Sequence, residues 1–283
     1  MKKVAVITDA SAYLTDLTDA KNLFVLDIPV LIDGETYLEG KNLTAEEFYE
    51  KMAASKELPK TSQPSLAELE ALLQQLELDG YTHVLGLFLS SGISGFYQNI
   101  QFLKDEFSNL EIAFPDTKIT SAPLGLMVKT ALEVLEAGQD FDRVLENIQK
   151  QIDGVQAYIL VDDLNHLVKG GRLSNGAALL GSLLSIKPIL YFTDEGKIEV
   201  FEKVRTEKKA MKRLCDLVSQ EITNGDYYVA VIHSHCEDKA LQMQALLQEA
   251  GVVGEIPLVT FGSIIGTHLG AGSVAVGFLP RVL

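Results

Sequence analysis

The chain has 283 residues, 47% of them hydrophobic, and 24 Lys and Arg against 39 Asp and Glu give it a formal net charge of −15. So acidic a balance disfavours indiscriminate attraction to nucleic acid or anionic membranes, which needs clustered cations, and any anionic ligand must be held by local donors. Cys215 and Cys236 form no disulfide framework, no apolar run nears the roughly 20 residues that span a bilayer, and MKKVAVITD lacks a secretory leader's apolar stretch, so a cytoplasmic protein of one large or two smaller domains is expected.

Residues 4–7 are uniformly apolar and read as a buried strand that ends in the polar Thr8-Asp9-Ala10-Ser11, an α/β opening. Segments 24–32 and 35–38 flank Asp33-Gly34, which supplies the positive φ angles of a tight hairpin. Thr44 to Glu47 and Ser65 to Glu68 have capping-box spacing, and Leu66, Leu69, Leu72, Leu73 and Leu76 then share one helical face. Further strands are predicted at 82–89 and 111–115, with helices at 95–107, 121–137 and 140–151. The polar pair Asp153-Gly154 reads as a turn between two domains, 1–153 and 154–283. After it come a strand at 157–161, a hairpin of 188–193 with 198–204, helices at 205–222 and 237–250 around a strand at 227–232, and a last strand at 273–278. The fold class is therefore α/β: an N-terminal parallel-sheet domain and a C-terminal α/β domain with antiparallel pairing.

Ligands of open α/β sheets bind beyond the carboxyl ends of the strands, which directs attention to the polar stretches there. Asp9, Asp116, Asp162 and Asp163 occupy such places but read as caps of turns and helices, so no metal is expected. His233-Ser234-His235-Cys236 has no second Cys/His pair to complete a zinc site and reads as a strand end before a helix. His83 and His166 read as structural histidines, whereas His268 lies among Gly262, Gly266, Gly270 and Gly272, where backbone can approach a ligand closely or simply turn. Ser90-Ser91-Gly92-Ile93-Ser94-Gly95 follows a predicted strand. Its glycine spacing fails the nucleophile-elbow pattern, which leaves Ser94 as a helix cap or as a donor to an anion beside free helical N–H groups.

Four stretches, Thr61-Ser62-Gln63-Pro64-Ser65, Ser90 to Gln98, Gly170-Gly171-Arg172-Leu173-Ser174 and His268-Leu269-Gly270-Ala271-Gly272, resemble in type, order and spacing the signature segments of the DegV family of bacterial fatty-acid-binding proteins. The likeness runs from the end of the first strand to the C-terminal strand. It implies a carrier, not an enzyme, that buries one long-chain fatty acid between two α/β domains and presents it to a separate fatty-acid kinase, which phosphorylates the carboxylate for phospholipid synthesis. By motif, Thr61, Ser62, Ser94 and the Gly95 amide would bind the carboxylate, with His268 close by and Arg172 facing the partner. The resemblance brings no cofactor and no metal, and a monomer is expected.

The sequence departs from the family pattern at Ala10, Phe96 and Ala271, and Phe96, bulky where threonine is usual, is expected to narrow the pocket or touch the acyl chain. Fifteen methylenes at roughly 0.8 kcal/mol each offer on the order of 12 kcal/mol gross, so an apolar wall suffices for retention and a few polar groups for orientation. Ile93, Phe96, Leu180, Leu184, Ile264 and Ile265 are the expected lining, with the small and apolar segment 176–186 as a wall. Two other readings remain: a kinase or transferase subunit in which His268 bonds covalently to a carbonyl substrate, and an interaction module with a vestigial pocket.

Overall fold

The structure, a computed structural model, describes residues 2–14, 20–176, 186–223 and 225–282. Its first apolar run is β1 (Val4–Asp9), buried along its whole length and central in a parallel sheet with β2 (Leu23–Leu26), β6 (His83–Leu87) and β7 (Glu111–Ala113) in the order β2-β1-β6-β7. Because β2 and β6 flank β1 on opposite sides, the sheet's topological switch point lies between the ends of β1 and β6, at Asp9 and Leu89.

The predicted hairpin is divided. Pro29, which has no N–H to donate, separates β2 from β3 (Val30–Ile32), and only β3 pairs with β4 (Glu35–Tyr37), across Asp33 and Gly34 at φ 46° and 87°. The two-residue β5 (Lys60–Thr61) completes this small antiparallel sheet, which sequence periodicity did not reveal.

A second, six-stranded sheet contains β8 (Gln156–Leu160), β9 (Lys187–Phe192), β10 (Ile198–Val204), β11 (Tyr227–His233), β12 (Leu258–Thr260) and β13 (Val274–Pro280) in the order β10-β9-β8-β13-β11-β12. Its pairs are antiparallel except β11 with β12. The fold is thus mixed α/β, a parallel-sheet region joined to a separate mixed sheet.

Helices fill the layers. Helix α1 (Ala45–Ala54) starts with a complete Thr44/Glu47 capping box, and Ser65 caps α2 (Leu66–Leu78). The predicted 95–107 helix is instead two short pieces, α3 (Phe96–Ile100) and α4 (Leu103–Glu106). Helices α5 (Ser121–Glu136) and α6 (Phe141–Gly154) lie between the sheets. Leu124, Val128 and Ile148 share one core with Val6 and Leu85 of the first sheet and Ile159, Ile232 and Ala275 of the second. Asp153-Gly154 is not a turn but the last turn of α6. Glycine serves there because a Cβ would stand 2.5 Å from Pro280 Cγ of β13.

Helices α7 (Asn165–Lys169), α8 (Glu207–Ile222), α9 (Glu237–Glu249) and α10 (Ser263–Leu269) belong to the second half. Leu214 of α8 and Met243 of α9 cover the sheet's outer face against Val231 and Val276. The glycine-rich 262–272 stretch is therefore mostly helix, and no described helix is long and apolar enough to cross a membrane.

Candidate functional site

The end of β6 begins the site. Leu89 N–H donates to Asp9 Oδ2 (2.8 Å) and Ser11 N–H to Asp9 Oδ1 (2.9 Å), so one buried carboxylate ties together the two central strand ends. Burial raises the Asp9 pKa above the ordinary carboxylate value, and the hydrogen bonds from Ser11 and Leu89 oppose that shift.

From Leu89 the chain passes into Ser90–Ser94, which is locked to the turn between β9 and β10: Ser90 Oγ donates to Gly196 O at 2.8 Å, and a Cβ on Gly92 would lie 2.2 Å from that same oxygen. Two glycines thus let backbone meet backbone between the two sheets' loops. Gly95, not Ser94, is the N-cap residue of α3; Ser94 Oγ accepts the Phe96 N–H at 3.3 Å while also lining a cavity, which leaves its proton free.

A small cavity of about 50 Å³ extends from this loop between the halves. Its polar lining comprises Thr61, Ser62, Ser94, Thr120, Ser121, Arg172 and His268. Its walls are chiefly apolar, among them Ile28, Ile93, Ile159, Phe192, Ile264 and Ile265. Thr61, Arg172 and His268 also border an open groove of about 660 Å³ with Lys56, Lys60 and Lys169. This places a cluster of cations at one opening of an acidic chain, a feature that no linear motif signalled.

His268 is positioned by α10, and α10 by a distant carboxylate. Gly262 cannot cap this helix, so Glu39 Oε2 accepts the Ser263 N–H (2.6 Å) and hydroxyl (2.8 Å), an approach open only because a Cβ on Gly262 would fall 2.5 Å from that oxygen. Tyr49 of α1 donates to Phe261 O at 2.8 Å and packs over Gly266. At the far end of the helix, His268 Nε2 and Thr61 Oγ1 are 2.8 Å apart, joining α10 to β5.

Burial, followed by the positive charges of Arg172 and His166, lowers the His268 pKa to about 4, so the imidazole is neutral at pH 7. The tautomer protonated at Nε2 donates to Thr61 and frees the Thr61 hydroxyl hydrogen for an acceptor in the cavity. Nδ1 is buried without a partner, against Gly170. Arg172 Nε donates to Ile93 O at 3.2 Å, which holds the guanidinium between the serine loop and the groove.

Of the residues expected from sequence, Thr61, Ser62, Ser94, His268, Arg172, Ile93, Ile264 and Ile265 converge on the cavity. Gly95 does not line it and instead abuts Gln63, where a Cβ would stand 2.9 Å from Nε2. Phe96 is a correction: it is 1% exposed and packs edge-on against Phe88 (centroids 5.1 Å apart) in the first sheet's own core, because entry into α3 turns it away from the cavity. Leu180 and Leu184 lie outside the described residues. Sequence reasoning missed Thr120 and Ser121, which line the cavity at the start of α5, and Glu39, whose role depends on a partner 224 residues away.

Residues 3–281 match the family model described as "Uncharacterised protein, DegV family". A DegV domain-containing protein of Streptococcus pyogenes serotype M3 is 60% identical over 281 residues, 99% of this chain and 100% of its own. Among solved structures, a fatty acid binding DegV family protein from Streptococcus agalactiae superposes with a TM-score of 0.96 at 59% identity, covering 99% of this chain and 100% of its own. DegV of Bacillus subtilis, described as a fatty acid binding protein, superposes with a TM-score of 0.88 at 34% identity over 99% and 100% of the two chains.

Proposed function

From a chain that belongs to the DegV family, we propose a carrier that binds one long-chain fatty acid in the cavity between its sheets and presents the carboxylate to a separate fatty-acid kinase. The observation that carries this reading is a largely apolar cavity whose lining brings Thr61, Ser62 and Ser94 together with His268 and Arg172. The acyl chain lies along the apolar wall. The carboxylate accepts from Thr61 and Ser94, with Arg172 supplying positive charge in a chain whose net charge is negative.

The adjoining groove, with Lys56, Lys60, Lys169 and Arg172, gives the anion of a phosphoryl donor or an acidic face of the kinase a place to approach. Support for a carrier over covalent chemistry comes from His268 itself: Nε2 is engaged by Thr61, and Nδ1 is buried against Gly170, so neither nitrogen is presented to a carbonyl carbon.

The test is titration of delipidated protein with oleate and palmitate. Ser94→Ala and Thr61→Ala are each expected to weaken binding about tenfold, the loss of one hydrogen bond to a charged group. Unchanged affinity in both variants would remove these residues from the site.

A further inference from the structure

We infer that the cavity wall carries a second polar station, formed by Thr120 and Ser121, that is fitted to a hydroxyl group on the acyl chain; the inference rests on the fatty-acid reading above. Ser121 is 3% exposed and lines the cavity, and its Oγ makes no hydrogen bond among the described residues. Its neighbours on the wall include Leu89, Ile119, Pro123 and Ile232, so a free hydroxyl there is the exception in an apolar setting. Thr120, 6% exposed, stands at the N-cap of the 16-residue α5 but does not cap it, and instead donates to Ser11 Oγ at 2.9 Å.

The Asp9 carboxylate accepts the Ser11 and Leu89 N–H groups, which holds the backbone beside this hydroxyl pair. The Thr120 hydroxyl hydrogen is committed to Ser11 Oγ. Thr120 Oγ1 therefore keeps its lone pairs for the cavity, while the Ser121 hydroxyl is free to donate. An acceptor beside a donor matches an alcohol, which does both. A keto oxygen satisfies only Ser121, and a methylene satisfies neither and leaves Ser121 buried and unpaired. Thr61, Arg172 and His268 border the groove whereas Thr120 and Ser121 do not, so a carboxylate held at the groove side leaves this station to carbons along the chain.

The experiment measures dissociation constants of delipidated protein for stearate and for a positional series of monohydroxystearates, by displacement of a fluorescent fatty acid. At least one isomer should bind about tenfold tighter than stearate, the worth of one added hydrogen-bonded group. That ratio should fall to about one in Ser121→Gly, which removes the hydroxyl yet tolerates the left-handed backbone at φ 59°, and in Thr120→Val. If stearate binds and no isomer exceeds it, or if the advantage survives in both variants, the inference is overturned. If neither stearate nor any hydroxystearate binds, the fatty-acid reading itself fails, and this inference with it.

Discussion

The contact between Thr61 and His268 joins two residues 207 apart in sequence, and its chemistry depends on an imidazole that burial keeps neutral. The folded pKa, about 4, lies below the ordinary value of 6.5, so as pH falls through that window the unfolded chain takes up a proton that the folded chain refuses. Stability is therefore lost on acidification below about 6.5, reaching on the order of 2–3 kcal/mol near pH 4. The measurement is a pair of denaturant titrations, wild type against His268→Gln, at neutral and acid pH. The buried carboxylates Asp9 and Glu39, whose raised pKa values act in the opposite sense, are common to both proteins and cancel in the difference. A difference that stays flat with pH would show that His268 is not buried as described. Phe96 gives a second test at this scale. Phe96→Ala should cost about 3–5 kcal/mol of stability and leave the relative affinities for palmitate and oleate unchanged, because the ring fills the first sheet's core. A changed preference at native stability would return Phe96 to the pocket.

Among the elements, α10 shows how far the local signal reached. Four glycines between 262 and 272 make the stretch look like a turn, yet all four serve packing: Gly262 admits Glu39, Gly266 admits Tyr49, Gly270 lies against the His166 ring, and Gly272 admits Asp162. The helix exists because tertiary partners replace what its sequence lacks, which no window of neighbouring residues could show. Glu39→Ala should accordingly destabilise the protein by about 1–2 kcal/mol and weaken fatty-acid binding several-fold although Glu39 does not line the cavity, whereas Glu39→Gln, which can still accept from Ser263, should recover most of both. Full affinity in Glu39→Ala would mean that α10 holds His268 without its cap. By contrast, β1, β6, β9, β10 and β13 were legible because each is a run of apolar or alternating residues bounded by turn chemistry. The two-residue β5, which carries Thr61, is too short to have any period, and the residue was found only through its motif.

For the whole molecule, the parallel and mixed sheets followed from periodicity, but their joining did not. The inner faces of α5 and α6 join strands of both sheets in one core, and the cavity opens beside the place where the sheets' loops meet, Ser90 to Gly92 against Gly196. The proposed ligand is thus enclosed by surfaces that approach each other only after the chain has folded, and their chiefly apolar lining suits an acyl chain. Native mass spectrometry of the purified protein tests this most directly. The account predicts one long-chain fatty acid per chain, released on denaturation; a lipid-free protein that also fails to bind added oleate or palmitate would contradict it.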